Sequence, residues 1–228
     1  MEGQVIHQVR QQLGRQLTLE APVEADLVCA VPDSSNTAAL GYSRATGIPF
    51  ELALIRNHYV GRTFISPAQK VRDMSVRIKF NPVAEVLQDK RVVVVDDSIV
   101  RGTTMRKLVK LIRQAGAREV HLRIASPPVT NPCYYGIDTP VRNELIASSH
   151  TVDEIKTYLR VDSLAYLSLP GLLEAAGEGD KYCEACFTGN YPISFGEMAG
   201  KDVFDRHAAG AEIPVKPLND DTAPEGET

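Results

Sequence analysis

The sequence contains no run approaching the ~18 consecutive apolar residues of a membrane-crossing helix, so no segment reads as one. It has 4 cysteines in 228 residues, too few for a disulfide scaffold. It lacks an excess of positive charge: 25 Lys and Arg against 29 Asp and Glu leave a net charge of −4. That balance speaks against a nucleic-acid surface as the main business. The opening MEGQVIHQVRQQLG lacks the charged-then-apolar order of a secretory signal, so a cytoplasmic protein is expected. Internal repeats are absent. So are G-x-x-x-x-G-K-[ST] and G-x-G-x-x-G, which removes the P-loop and dinucleotide fingerprints.

What is present fits a soluble globular chain. Hydrophobic residues make up 43% and charged residues 24%. The length suits one domain with a substantial core. Residues 4–20 carry Val5, Ile6, Val9 and Leu13 near a helical period. ADLVCAVP (25–32) reads as a buried strand, SSNTAALGYSRATG (34–47) as a helix closing on Gly47, and FELALIRN (50–57) as a second strand. Residues 58–70 read as a loop. RVVVVDD (91–97) is apolar on both faces, the pattern of a parallel sheet covered on both sides.

Met105, Leu108, Val109 and Ile112 then make a helical stripe, with Lys107, Lys110 and Arg113 facing away and Gly116 as the expected cap. EVHLRIAS (119–126) follows as a strand with Val120, Leu122 and Ile124 on one side. TVDEIKTYLR and LPGLLEAAG read as short helices. The alternation predicts an α/β fold: an open, mostly parallel sheet flanked by helices, with an irregular C-terminal segment. The expected organisation is a core over 1–170, a C-terminal segment over 171–204 and a disordered acidic tail over 205–228.

The chemistry concentrates in VVVVDDSIVRGTT (92–104). In open parallel sheets, ligands sit beyond the carboxyl ends of strands, where Asp96 and Asp97 stand. The turn that follows runs through Ser98, Ile99, Val100, Arg101, Gly102, Thr103 and Thr104 into a helix. It offers backbone N–H groups, hydroxyls and a helix N-terminus to an anion, and Gly102 permits close backbone approach. A bare acidic pair is often no more than a turn or helix cap. The full stretch carries more than a cap needs.

VVVVDDSIVRGTT resembles the phosphoribosyl pyrophosphate (PRPP) motif of the type I phosphoribosyltransferases. AVPDSSNTAALGY (30–42), IRNHYVGRTFISP (55–67), IASPPVTNPCYYGID (124–138) with RNELIA (142–147), and YCEACFTGNYP (182–192) resemble, in order, segments of the glutamine PRPP amidotransferases. The resemblance implies a type I phosphoribosyltransferase fold and the first step of de novo purine biosynthesis. It implies that Asp96 and Asp97 face the ribose and a magnesium ion, joined by Ser34, and that Asp33, Ser34 and Ser35 line the pyrophosphate site. It implies that Ser98 to Thr104 wrap the 5′-phosphate, while Arg56, Tyr59, Arg62 and Lys79 approach the pyrophosphate from a closing loop. Position 56 is more often lysine in the family, and arginine changes the geometry there.

The resemblance further implies homo-oligomers, inhibition by purine nucleotides, and ammonia from a glutaminase domain or subunit. Nothing in this sequence supplies that domain, so ammonia-dependent transfer without glutaminase activity is expected. Neither His58 nor His121 is expected to be catalytic. Many family members carry a [4Fe–4S] cluster, and Cys133, Cys183 and Cys186 match three of its four ligands. Cys29, inside LVCAVP, reads as core. Zinc and redox readings of Cys183-x-x-Cys186 stay open. So do a PRPP-binding regulator without catalysis and an inactive fragment.

Overall fold

The structure, a computed structural model, describes residues 5–59, 79–177 and 181–193. Arg62, most of the expected closing loop and the tail from 205 onward lie outside the described residues. The chain begins with α1 (Ile6–Glu20), β1 (Leu27–Ala30), α2 (Asn36–Thr46), β2 (Leu54–Arg56), β3 (Phe80–Pro82) and α3 (Ala84–Leu87). It continues with β4 (Arg91–Asp96), α4 (Thr103–Gln114) and β5 (Glu119–Ile124), then two 3-10 turns at Arg142–Glu144 and Ile146–Ser148. The last elements are α5 (Val152–Leu159), β6 (Ser163–Tyr166), α6 (Leu169–Ala176) and α7 (Ala185–Thr188).

The main sheet has 4 strands in the order β1-β4-β5-β6, and every pairing is parallel. Val92, Val93, Val94 and Val95 are fully buried in its centre. Their side chains alternate between two cores, as the period of a strand requires. Val92 and Val94 join Leu108, Val109 and Ile112 of α4 and Ile155 and Leu159 of α5. Val93 and Val95 join Leu17 of α1, Ala38, Ala39 and Tyr42 of α2, and Leu167. Burial of each such side chain stabilises by about 1.5–3 kcal/mol, which holds β4 firmly inside the sheet.

One expectation shifts. The apolar run 50–57 does not join the parallel sheet as a strand. Phe50 makes a lone bridge to Val28 at the sheet edge. The chain then turns away, and β2 pairs antiparallel with β3 in a separate 2-stranded unit. In α1 the buried positions are Val9, Gly14 and Leu17, while Val5 and Ile6 are exposed. A glycine stands among the inward positions because α1 crosses α2 backbone to backbone there. A methyl built on Gly14 would overlap the Ala38 carbonyl, and one on Gly41 would overlap the Gln11 carbonyl. Hydropathy gives no weight to such a position. Strand β6, short and only half-buried, gave no usable pattern either.

Among the described residues, no helix is long and apolar enough to cross a membrane.

Candidate active site

Helix α2, following β1, packs in the core with Val28 and Val95, whereas α4, following β4, packs against the opposite face. The neighbouring strands β1 and β4 therefore send their chains to opposite sides of the sheet. The crevice opened there is where ligands bind in sheets of this kind. The backbone keeps the two turns adjacent: Val31 N–H donates to the Val95 carbonyl at 2.9 Å.

Across this crevice Ser35 Oγ donates to Asp96 Oδ1 at 2.9 Å, and the Asp97 N–H donates to the same oxygen at 2.9 Å. Asp96 is only 8% exposed. Burial, reinforced by the charge of Asp97, pushes its carboxyl up to about 7. Asp97 itself is exposed at the mouth of the crevice. The pair is thus unequal, with one carboxyl pinned inside and one free to meet a ligand.

After Asp97 the chain folds as the sequence predicts. Ile99 is buried as an anchor. Gly102, the residue before α4, has φ 75°, a left-handed conformation that favours glycine. Ser98, Ile99, Val100, Arg101, Gly102, Thr103 and Thr104 line a cavity of about 300 Å³ together with Asp96, Val31, Met105 and Leu108. Thr103 and Thr104 are exposed in the first turn of the 12-residue α4. A helix start without acidic residues in its first turn presents N–H groups to an anion. Arg101 Nε donates to Glu144 Oε2 at 2.7 Å. This contact ties the loop to the 3-10 turn at 142–144, a role the sequence did not reveal.

The remaining predicted residues are placed less uniformly. Ser34 and Asp33 are exposed on the turn after β1. Arg56, at the end of β2, reaches that turn and pairs with Asp33 at 2.9 Å. The pairing spans 23 positions of sequence, so spacing could not have announced it. Tyr59 is fully exposed, with its N–H on Asn57 Oδ1 at 3.0 Å. Lys79 places its ammonium 5.2 Å from the Phe80 ring centroid. Both border the segment 60–78.

The cysteines divide as expected from burial. Cys29 is wholly buried in β1, and its thiol is pushed up to about 12 by burial. Cys133, Cys183 and Cys186 lie in one neighbourhood: the Thr130 and Asn131 N–H groups both donate to the Cys186 carbonyl at 3.0 Å. Burial raises the Cys186 thiol, and Cys133 and Cys183 add to the effect. Among the described residues, no three His, Cys, Asp or Glu side chains are gathered tightly enough to hold a metal ion. His121 is buried beside Ser163 and Glu119 on β5, inside the body of the sheet.

Residues 11–126 match the phosphoribosyl transferase domain family. The chain is 55% identical over 199 residues to the amidophosphoribosyltransferase of Bacillus subtilis, covering 84% of this chain and 41% of that protein. It is 56% identical over 197 residues to that of Archaeoglobus fulgidus, covering 85% and 43%. A solved structure described as the allosteric regulatory enzyme of purine biosynthesis superposes with a TM-score of 0.80 at 52% identity, over 88% of this chain and 44% of the other. The glutamine PRPP amidotransferase of B. subtilis, complexed with ADP and GMP, superposes with a TM-score of 0.77 at 53% identity, over 85% and 44%. The chain spans less than half the length of these relatives. With this sheet, this crevice and these likenesses, the chain belongs to the phosphoribosyltransferase family and, within it, is similar over most of its length to the amidophosphoribosyltransferases.

Proposed function

We propose that this chain carries the phosphoribosyl-transfer site of an amidophosphoribosyltransferase, which makes 5-phosphoribosylamine and pyrophosphate from PRPP and ammonia. The observation that carries the reading is the unequal Asp96–Asp97 pair opening directly onto the 98–104 cradle at the start of α4. In this reading the cradle holds the 5′-phosphate and the acids face the ribose. Ammonia attacks C1 as the bond from C1 to the pyrophosphate oxygen breaks. Pyrophosphate leaves with the electron pair, and the new amine gives up a proton. Positive charge develops on the ribose during this exchange, and the carboxylates beside it stabilise that charge. Arg56, Tyr59, Arg62 and Lys79 act on the leaving pyrophosphate, Arg56 from its place beside Asp33.

The oxygen donors Asp96, Asp97 and Ser34 suit magnesium, and a buried carboxyl held up to about 7 is one that a cation would return to its ionised form. Bound there, magnesium would neutralise the charge of the pyrophosphate. The thiols do not suit a four-thiolate cluster within this chain. Cys133, Cys183 and Cys186 share a neighbourhood but are not gathered as a metal-binding set among the described residues, and the remaining thiol, Cys29, is sealed in the core.

Ammonia would come from a glutaminase partner or domain. A purine nucleotide, by its own ribose phosphate, would compete for the cradle. We further propose a cytoplasmic homo-oligomer.

The test is incubation of the chain with PRPP, magnesium and ammonium, reading pyrophosphate release. Release that depends on ammonium and is lost in Asp97→Asn supports the reading. PRPP binding without release would leave a PRPP-binding regulator or an inactive fragment and overturn the enzyme.

A further inference from the structure

Three consecutive residues of the phosphate loop rest on one segment that the reaction itself does not use. The Val100 carbonyl accepts from the Ile146 N–H at 2.9 Å. Arg101 meets Glu144 through Nε at 2.7 Å, and a second guanidinium nitrogen pairs with the same carboxylate oxygen. Gly102 lies so close that a Cβ there would stand 2.8 Å from Ile146 Cδ1 and 3.4 Å from the Tyr158 ring. The supporting segment is itself anchored, since Leu145 and Ile146 are buried. One turn into α4, Arg106 stacks 4.5 Å over the Tyr158 ring and ties the helix start to α5.

We propose that Glu144 is a positioning residue for the phosphate cradle: it holds Arg101, and through it the 100–102 backbone, in the anion-binding shape before any ligand arrives. The inference rests on the phosphoribosyl reading above and assigns it one more residue. A cradle of backbone N–H groups binds well only when its conformation is fixed in advance, because otherwise binding must supply the ordering. The Arg101 guanidinium, already paired with a carboxylate, contributes as a strut and not as a free cation. The anion is held by the loop's N–H groups and hydroxyls.

The experiment is calorimetric titration of the full chain with ribose 5-phosphate, using wild type, Glu144→Gln, Arg101→Met, the double variant and Glu144→Asp. Both side chains are about half exposed, so the folds should persist, and unchanged melting midpoints verify it. Each single variant should weaken binding about fivefold, the scale of a well-placed exposed ion pair. The double variant should be no weaker than either single, because the two side chains act as one strut. Glu144→Asp should recover most of the affinity.

Unchanged or tighter binding in Glu144→Gln overturns the inference. So does an additive double variant, which would mean that the two side chains act independently. Failure of wild type to bind ribose 5-phosphate would instead overturn the phosphoribosyl reading, and this inference with it.

Discussion

The two aspartates at the end of β4 are chemically unlike although adjacent in sequence. Asp96 is buried and fixed by Ser35 and a backbone N–H, while Asp97 is exposed. Asp97→Asn should therefore leave the fold intact and lower ammonia-dependent pyrophosphate release at least about 100-fold, the scale of losing one preorganised electrostatic partner. Asp96 answers to pH. Unfolded, its carboxyl ionises near 3.8, and folded near 7, so in that window the native state keeps a proton that the unfolded chain has released. The resulting loss of stability is absent below the window, grows as pH rises through it and is complete above it. In metal-free buffer, Asp96→Asn should stabilise the protein relative to wild type more at pH 8 than at pH 5, by on the order of 2 kcal/mol. A difference independent of pH, measured by denaturant unfolding, would mean that the carboxyl is ionised throughout.

Both aspartates were legible in the sequence because the signal is local: an apolar run, two acids and a turn. Their inequality was not, because it comes from the burial of Asp96 by tertiary packing, which brings even Ser35, 61 positions away, against it.

Among the elements, what the sequence conveyed depended on how each one is buried. β4 and α4 announced themselves, one by four consecutive valines and the other by a stripe of Met105, Leu108, Val109 and Ile112, and all of these are buried. α1 was legible as a helix, but its contact with α2 was not, because that contact is made by backbone at Gly14 and Gly41. Gly14→Ala should lower stability by about 2 kcal/mol through overpacking, with loss of helix-helix contact read by thermal unfolding. An unchanged midpoint would show that the two helices can separate freely. Gly102→Ala joins two penalties, a left-handed backbone and contact with Ile146 Cδ1 at 2.8 Å. It should destabilise by about 1–2 kcal/mol. It should also weaken ribose 5-phosphate binding by more than that loss of stability explains, since the strain falls on the cradle itself.

At the scale of the whole molecule, function follows from topology. β1 and β4 are parallel neighbours whose helices leave to opposite faces, and that divergence opens the crevice in which the Ser35 and Asp97 turns meet. An α/β alternation was readable from periodicity. The strand order β1-β4-β5-β6 was not, because pairing is decided by which faces find cover, and the 50–57 segment leaves the sheet against its hydropathy. The central claim is that this crevice holds the ribose 5-phosphate end of PRPP. Phosphorus NMR of PRPP, titrated with the chain and magnesium, reads the 5′-phosphate separately from the pyrophosphate. With wild type, the 5′-phosphate resonance should shift at stoichiometric protein, and Gly102→Val should abolish the shift. No shift with the folded wild-type chain, or one that Gly102→Val leaves intact, would contradict the account.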